Sequence, residues 1–191
     1  TSLHCHPNKT TSLTVLDGEA LCSTLMSKIT VRPGKGLLIG KGVFHSTYAL
    51  SPNGVIVMET ETPNNKHDLV RLNDKYGREG KGYEGKESHI APDMLDYMNL
   101  KSFHEPEGRY HEPKQIGRCA LTLVKHRNPS TFPDLLQGAD AHLVGVVRGC
   151  IYNSRKPVVS LGEIAGLTHL KRNQNLSIVN EVELFFVKVL E

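Results

Sequence analysis

Short runs of β-forming residues, separated by glycine and proline turns, constrain the fold of this chain more than any other feature. Within the first 62 residues the predicted strands are Ser12–Leu16, Glu19–Leu25, Lys28–Val31, Leu37–Ile39, Val43–Leu50 and Val55–Glu61. Strands this short and this regularly punctuated are typical of an all-β barrel or sandwich. Asp17-Gly18 is a strong tight-turn dipeptide, and it predicts a hairpin between the first two strands.

The β pattern is interrupted over residues 63–115. This stretch is polar, has little periodicity and includes the alternating glycines and charges of Gly77–Gly85. Long segments of this kind are usually lids or binding segments. We therefore predict a connector over 63–115, with one short helix around Asp93–Leu100.

From Ile116 onward the β pattern resumes. The predicted strands are Arg118–Val124, Leu143–Val147, Cys150–Tyr152, Val158–Leu161 and Glu183–Val189. Leu143–Gly149 echoes the strand-to-glycine pattern of Leu13–Gly18, and Gly166–His169 echoes Gly42–His45 in the same order. These echoes favour two similar β units in tandem, over 1–62 and 116–191, above one continuous domain.

Composition and charge narrow the class of protein. The formal net charge is +3 with histidine neutral, and the basic residues are scattered, which argues against nucleic acid or an anionic membrane as a partner. No apolar run approaches the about 20 residues that a membrane span requires. Four cysteines without CxxC spacing (Cys5, Cys22, Cys119 and Cys150) predict reduced thiols in the core of a cytoplasmic protein.

The motif with the clearest chemistry is His4-Cys5-His6. Side chains two apart in a strand point to the same face, so both imidazoles are expected on one side. Imidazole suits zinc, iron, nickel or manganese, and His45, which follows a glycine-rich turn on a later strand, is the candidate third ligand. The alternative is that His4 and His6 are exposed at a chain end. Because the motif lies so close to Thr1, we expect a further strand ahead of it.

These motifs resemble the two-part signature of the cupin superfamily. The first part reads His4-Cys-His6-Pro-Asn-Lys-Thr-Thr-Ser-Leu-Thr-Val-Leu-Asp-Gly18, and the second reads Gly36-Leu-Leu-Ile-Gly-Lys-Gly42-Val-Phe-His45. The resemblance implies a jelly-roll barrel over residues 1–62 that holds a divalent metal ion (zinc, iron, manganese or nickel) with His4, His6 and His45. A second, degenerate cupin-like unit would make the chain a bicupin.

The chain departs from this signature at two positions. Thr11 stands where the family usually places a metal-ligating glutamate, and Gly40 replaces the proline of the second part. Three protein ligands plus water remain a competent catalytic arrangement. Glu59 and Glu61 share a face of the next strand by parity. Either can replace the missing carboxylate or act as a catalytic base, or the pair can lie on the outer surface.

A second resemblance concerns the segment that follows this strand. Glu59–Pro63, Lys66–Arg78 and Gly82–Gly85 are similar to small cupins of bacterial sugar and surface-polysaccharide metabolism, of the mannose-6-phosphate isomerase-like and sugar-isomerase kind. The resemblance implies a sugar as substrate.

Polar side chains in and near this segment suit the recognition of a sugar phosphate. The predicted substrate-binding residues are Lys9, Arg71, Tyr76 and Arg78, with Asp68 and Asp74 as further polar groups. The alternative is a salt-bridged loop that packs Leu69 and Leu72 onto the barrel.

Three functions follow from these observations. The first is a metal-dependent isomerase or epimerase acting on a phospho-sugar or nucleotide-sugar, the second a non-catalytic sugar-binding or regulatory protein, and the third an Fe(II) dioxygenase. The fold alone does not choose among them. His169 lacks an H-x-H partner, so a second metal centre is not expected. A homodimer is the expected assembly.

Overall fold

The computed structural model describes residues 1–65, 67–73, 108–109 (backbone only) and 113–191. The strands of the first part are β1 (Leu3–Cys5), β2 (Thr10–Asp17), β3 (Ala20–Thr24), β4 (Lys28–Val31), β5 (Gly36–Ile39), β6 (His45–Ala49), β7 (Ile56–Thr62) and β8 (Val70–Asn73). The later strands are β9 (Gly108–Arg109), β10 (Lys114–Ile116), β11 (Cys119–His126), β12 (Leu143–Arg148), β13 (Ile151–Asn153), β14 (Lys156–Val159), β15 (Ile164–Gly166), β16 (Leu176–Ser177) and β17 (Val182–Val189). Two short helices, α1 (Phe132–Gly138) and α2 (Leu167–Leu170), lie among them.

The strands form two antiparallel units that share the order of six strands. In the first unit the sheets run β4-β3-β6-β1-β8 and β5-β2-β7. In the second they run β10-β11-β17-β12-β15 and β14-β13-β16, and β9 pairs with β11. The order β5-β2-β7 recurs as β15-β12-β17, and β4-β3-β6 recurs as β14-β13-β16. The predicted all-β fold with two similar jelly-roll units in tandem is confirmed.

Strand β2 is buried along almost its whole length because both of its faces are covered. Leu13 and Val15 point into the first unit, where they pack with Ala20, Cys22, Val31 and Ile39. Leu16 belongs to a second cluster formed mainly by residues of the other unit. One face of strand β2 therefore packs in the interior of the first unit, and the other packs at the interface with the second unit.

Polar contacts also tie the two units together. The hydroxyls of Ser12 and Thr60 both donate to the carbonyl of Gly162, each over 2.8 Å. Gly162 has a φ of +80°, and a Cβ there would lie 1.9 Å from Thr62 Oγ1, so a side chain is excluded at this contact. Between β7 and the second unit lies an apolar cavity of about 470 Å³, lined by Met58, Leu121, Leu123 and Phe185, among others.

The hairpin predicted at Asp17-Gly18 is wrong. Strands β2 and β3 belong to different sheets, so this turn passes from one sheet to the other. Gly18 has a φ of +67°, and a Cβ there would lie 2.3 Å from the carbonyl oxygen of Gly54. The dipeptide marks a sharp turn, but the partners of the two strands are set by distant residues.

Other boundaries also differ from the sequence prediction. Strand β8 lies inside the predicted connector and pairs with β1. The strand predicted at Val158–Leu161 is instead β14, from Lys156 to Val159. Both helices were missed because each is short, with apolar residues at only two or three positions. The predicted helix around Asp93–Leu100 lies outside the described residues.

All four cysteines carry free thiols, and Cys5, Cys22 and Cys119 are buried as predicted, while Cys150 is partly exposed. No helix in the described ranges is long and apolar enough to cross a membrane.

Candidate metal centre

Three histidines meet inside the first unit. Strands β1 and β6 are antiparallel neighbours, and their register places His4 directly opposite His45. His6 follows the end of β1. The ring centroids are 4.4 Å apart for His4 and His45, 5.1 Å for His4 and His6, and 5.6 Å for His6 and His45. One nitrogen of each ring lies within 4.8 Å of the others, so the group can hold a metal ion.

Each histidine is oriented by a backbone carbonyl. Nδ1 lies 2.7 Å from the Ser2 oxygen in His4, 2.6 Å from the Asp68 oxygen in His6, and 2.9 Å from the Val43 oxygen in His45. Because a carbonyl only accepts, each Nδ1 carries the proton, which leaves the Nε2 lone pair for a ligand. This is the usual arrangement of metal-binding histidines.

His45 gives the clearest sign that the site fits a metal ion. Its side chain is only 3% exposed, and among the described residues its Nε2 has no hydrogen-bond partner. An unsatisfied buried nitrogen is costly, and coordination of a cation removes that cost.

Burial also keeps two of these histidines neutral. It lowers the pKa of His4 to about 4, with smaller contributions from the charges of His45, His6 and Arg71. Burial likewise lowers the pKa of His45. Metal ligation requires the neutral ring, so both histidines are ready to bind at neutral pH.

Glu61 brings a carboxylate to the same place. The register of β2 and β7 sets Glu61 opposite Thr11, the position at which the cupin signature usually has its glutamate. Glu61 Oε1 lies 3.0 Å from His6 Nε2. With the His6 proton on Nδ1, two electron-rich atoms face each other here, and a cation or a second proton is needed between them. By register Glu59 and Glu61 lie opposite Leu13 and Thr11, on one face of β7; Glu61 is partly buried, whereas Glu59 is exposed.

Glu59 lies one step further along that face. Its side chain is exposed, and its carboxylate falls within a second possible metal-binding group, formed with His6 and Glu61. Burial of the carboxyl raises the pKa of Glu59, and the neighbouring Glu61 raises it further. A carboxyl with a raised pKa beside candidate metal ligands is suited to proton transfer.

Lys9 lies deeper than a loop lysine normally does. It is 1% exposed, and its Nζ is 2.7 Å from Glu61 Oε2. The predicted contact of Lys9 with an anionic substrate group remains a prediction, whereas its contact with a carboxylate of the protein itself is observed.

Arg71 approaches the histidines from strand β8. The register of β1 and β8 places it opposite His4, so the two side chains leave the sheet on the same face. Its charge is close enough to lower the pKa of His4. Arg71 as a substrate-binding residue thus remains a prediction with a suitable location. Tyr76 and Arg78 lie outside the described residues.

The sequence prediction did not foresee the role of Asp68 and Asn8. The Asp68 carboxylate accepts from the backbone nitrogen and from the side-chain amide of Asn8, each over 2.8 Å, and its backbone oxygen accepts from His6. These residues are about 60 positions apart in the chain, and no local pattern signals the contact.

The second unit has no comparable group among its described residues. His169 is exposed on α2, and His142 is exposed ahead of β12. Helices α1 and α2 contribute Phe132, Leu136, Leu167 and Leu170 to an apolar cluster in this unit. The expectation that the second unit carries no metal centre remains a prediction.

Comparison with known proteins adds to the picture of the fold. No protein-family model matches the chain. No curated protein is similar to it in sequence at a meaningful level.

Solved structures do resemble it. The mannose 6-phosphate isomerase from Bacillus subtilis is 13% identical with a TM-score of 0.35, over 99% of this chain and 71% of that one. The cupin 2 conserved barrel domain protein from Leptotrichia buccalis is 13% identical with a TM-score of 0.28, over 99% and 78%. Oxalate decarboxylase from Bacillus subtilis is 11% identical with a TM-score of 0.36, and this chain, matched over 99%, spans 64% of its length. The chain is similar to these three structures at identities of 11–13% and TM-scores of 0.28–0.36.

Proposed function

We propose that the first unit binds one divalent metal ion, zinc, iron, manganese or nickel, and isomerises or epimerises a sugar that carries a phosphate or a nucleotide. The observation that carries the proposal is the buried group of His4, His6 and His45 with Glu61 beside it. When bound, such an ion supplies a Lewis acid that polarises the sugar carbonyl. The histidines would hold it through Nε2, and Glu61 would add a carboxylate.

Glu59 would move the proton. Isomerisation and epimerisation both take a proton from the carbon next to a carbonyl and return it elsewhere or on the other face. A carboxylate with a raised pKa accepts and returns a proton near neutral pH more readily than an ordinary one. With Glu61 paired to Lys9 and His6, Glu59 is the less engaged of the two predicted catalytic carboxylates.

Arg71 would bind the anionic part of the substrate. It lies on the same face of the sheet as His4, and a guanidinium donates paired hydrogen bonds to a phosphate. The ammonium of Lys9, next to Glu61, would add a second positive charge to the site.

The carboxylate beside the histidines favours an isomerase over a dioxygenase, because proton transfer needs a base at the site. Sugar binding without turnover is the second candidate, and it is favoured by the absence of a second metal-binding group in the described part of the chain. An isomerase or epimerase and a non-catalytic sugar binder give different results in a proton-exchange experiment.

The test is a panel of sugar phosphates and nucleotide sugars, incubated with metal-loaded protein in D₂O and followed by NMR. We expect deuterium at the carbon next to the carbonyl. Glu59→Gln should slow the exchange about 10²–10⁴-fold without loss of metal. Glu19→Gln, an exposed residue paired with Arg32, is the matched control and should exchange normally. Sugars that bind but never exchange would leave the non-catalytic binder as the function.

A further inference from the structure

Asp68 is a buried carboxylate that joins two parts of the candidate centre. It is 6% exposed and lies just before β8, about 60 residues from the loop that it contacts. One carboxylate oxygen accepts from the backbone nitrogen of Asn8 and the other from its side-chain amide. Its backbone oxygen accepts from Nδ1 of His6 over 2.6 Å. The backbone nitrogen of Lys9 also donates to this carboxylate, so a single residue holds both ends of the turn from His6 to Lys9.

This turn supplies two side chains to the centre. His6 stands at its start and Lys9 at its end, and Lys9 in turn holds Oε2 of Glu61. The far side of the turn is fixed as well, since the backbone nitrogen of Gly42 donates to the oxygen of His6 over 2.8 Å. If this turn were mobile, His6 and Lys9 would move together, and with them a candidate metal ligand and the partner of Glu61.

We infer that Asp68 is a positioning residue for the metal centre. Its backbone oxygen selects the His6 tautomer that presents Nε2 to the metal. Its carboxylate, by binding Asn8, holds that oxygen at the right position relative to the turn. The inference rests on the proposed metal site but not on the reaction. It concerns hydrogen bonds and not charge, because an amide at position 68 can keep both contacts with Asn8: its oxygen accepts from the Asn8 backbone, and its NH₂ donates to the rotated Asn8 amide.

A purely structural role predicts something different. If Asp68 only fastens the start of β8 to the first unit, its loss lowers stability and leaves the folded centre unchanged. The geometry at the metal distinguishes the two roles, since partners of metal ligands typically contribute 10–100-fold to metal affinity.

The experiment compares Asp68→Ala, Asp68→Asn and Asn8→Ala with Asp140→Ala, which removes an exposed aspartate paired with Lys188 in the second unit. Zinc affinity is measured by competition with a chromophoric chelator, geometry by the visible spectrum of the cobalt form, and stability by melting of the metal-free protein. We expect Asp68→Ala to weaken zinc binding about 10–100-fold and to change the cobalt spectrum. Asp68→Asn and Asp140→Ala should match wild type, and Asn8→Ala should fall between.

Wild-type affinity and an unchanged cobalt spectrum in Asp68→Ala would overturn the inference, whatever its melting temperature. If Asp68→Ala does not fold, Asn8→Ala decides, because it removes the side-chain contact and keeps the backbone ones. Unchanged zinc affinity there would overturn the inference too. A loss in Asp68→Asn as large as in Asp68→Ala would show that charge matters, against the claim. Failure of the proposed centre itself looks different: wild-type protein would then bind no stoichiometric zinc.

Discussion

The two units share a strand order and differ in what fills them. In the first, β1 brings His4 to the inside ahead of β2, and β6 opens with His45. In the second, α1 precedes β12 and α2 precedes β16, and both helices deliver apolar side chains to the core. One scaffold thus appears twice, once with polar groups in its interior and once with an apolar filling. The comparison teaches that a shared strand order can define the fold, while the side chains that the strands and helices turn inward decide which unit can carry chemistry.

The largest effect should come from removing a side chain of the apolar cluster in the second unit. This tests whether that unit supplies stability while the first unit binds metal. Phe132 is fully buried in the second unit, so Phe132→Ala should cost about 3–5 kcal/mol through lost burial and the cavity left behind. Chemical denaturation measures the loss. Metal binding by the folded variant should equal that of wild type, and reduced metal affinity would break the proposed division of roles.

A buried lysine–glutamate pair occurs in each unit and allows a matched comparison. Glu61→Leu removes the carboxylate beside buried Lys9, and Glu183→Leu removes one beside buried Lys125. Loss of one partner of a buried pair costs about 3–5 kcal/mol. Both variants should lie at the low end, because 22% of the Glu61 side chain is exposed and because Lys125 keeps Glu181 at 3.7 Å. Denaturation should show a loss in both variants. Only Glu61→Leu should also weaken zinc binding, and equal zinc affinities would contradict its assignment as a ligand.

The histidines should make the metal-free first unit sensitive to acid. In the unfolded chain histidine titrates near 6.5, whereas burial lowers the pKa of His4 to about 4 and lowers that of His45 as well. Between these values the unfolded state binds more protons, so stability is lost as the pH falls. In the presence of chelator, the denaturation midpoint should decrease as the pH is lowered from about 6.5 to 4. The decrease should be less steep in His4→Gln. Identical slopes for the two proteins would contradict the burial of a neutral His4.

The smallest effect should come from His169, which corresponds to His45 in the sequence echo between Gly166–His169 and Gly42–His45. His169 is exposed on α2, so His169→Ala should change stability by no more than about 0.5 kcal/mol. Metal content, measured by elemental analysis, should be unchanged. Loss of metal in this variant would mean that the second unit takes part in binding.

Local patterns predicted much of this structure, and their failures have physical causes. The range of β4 was predicted to the residue, and the histidine trio followed from strand alternation and a family resemblance. The Asp17-Gly18 hairpin failed because a turn dipeptide does not identify a strand's partner. The inward direction of Glu61 depends on its register against Thr11, which is a long-range pairing. The contact between Asp68 and Asn8 is equally non-local, and no spacing in the sequence signals it.

Metal content tests the central claim most directly. Protein purified without chelator should contain about one equivalent of a divalent transition metal by elemental analysis, because the donor set matches the four-coordinate sites formed by three histidines and one further ligand. His6→Ala and His45→Ala should each abolish it, while both variants retain the β-sheet signal in circular dichroism. Metal-free wild-type protein that takes up no zinc, or folded histidine variants that keep a full equivalent, would contradict the account.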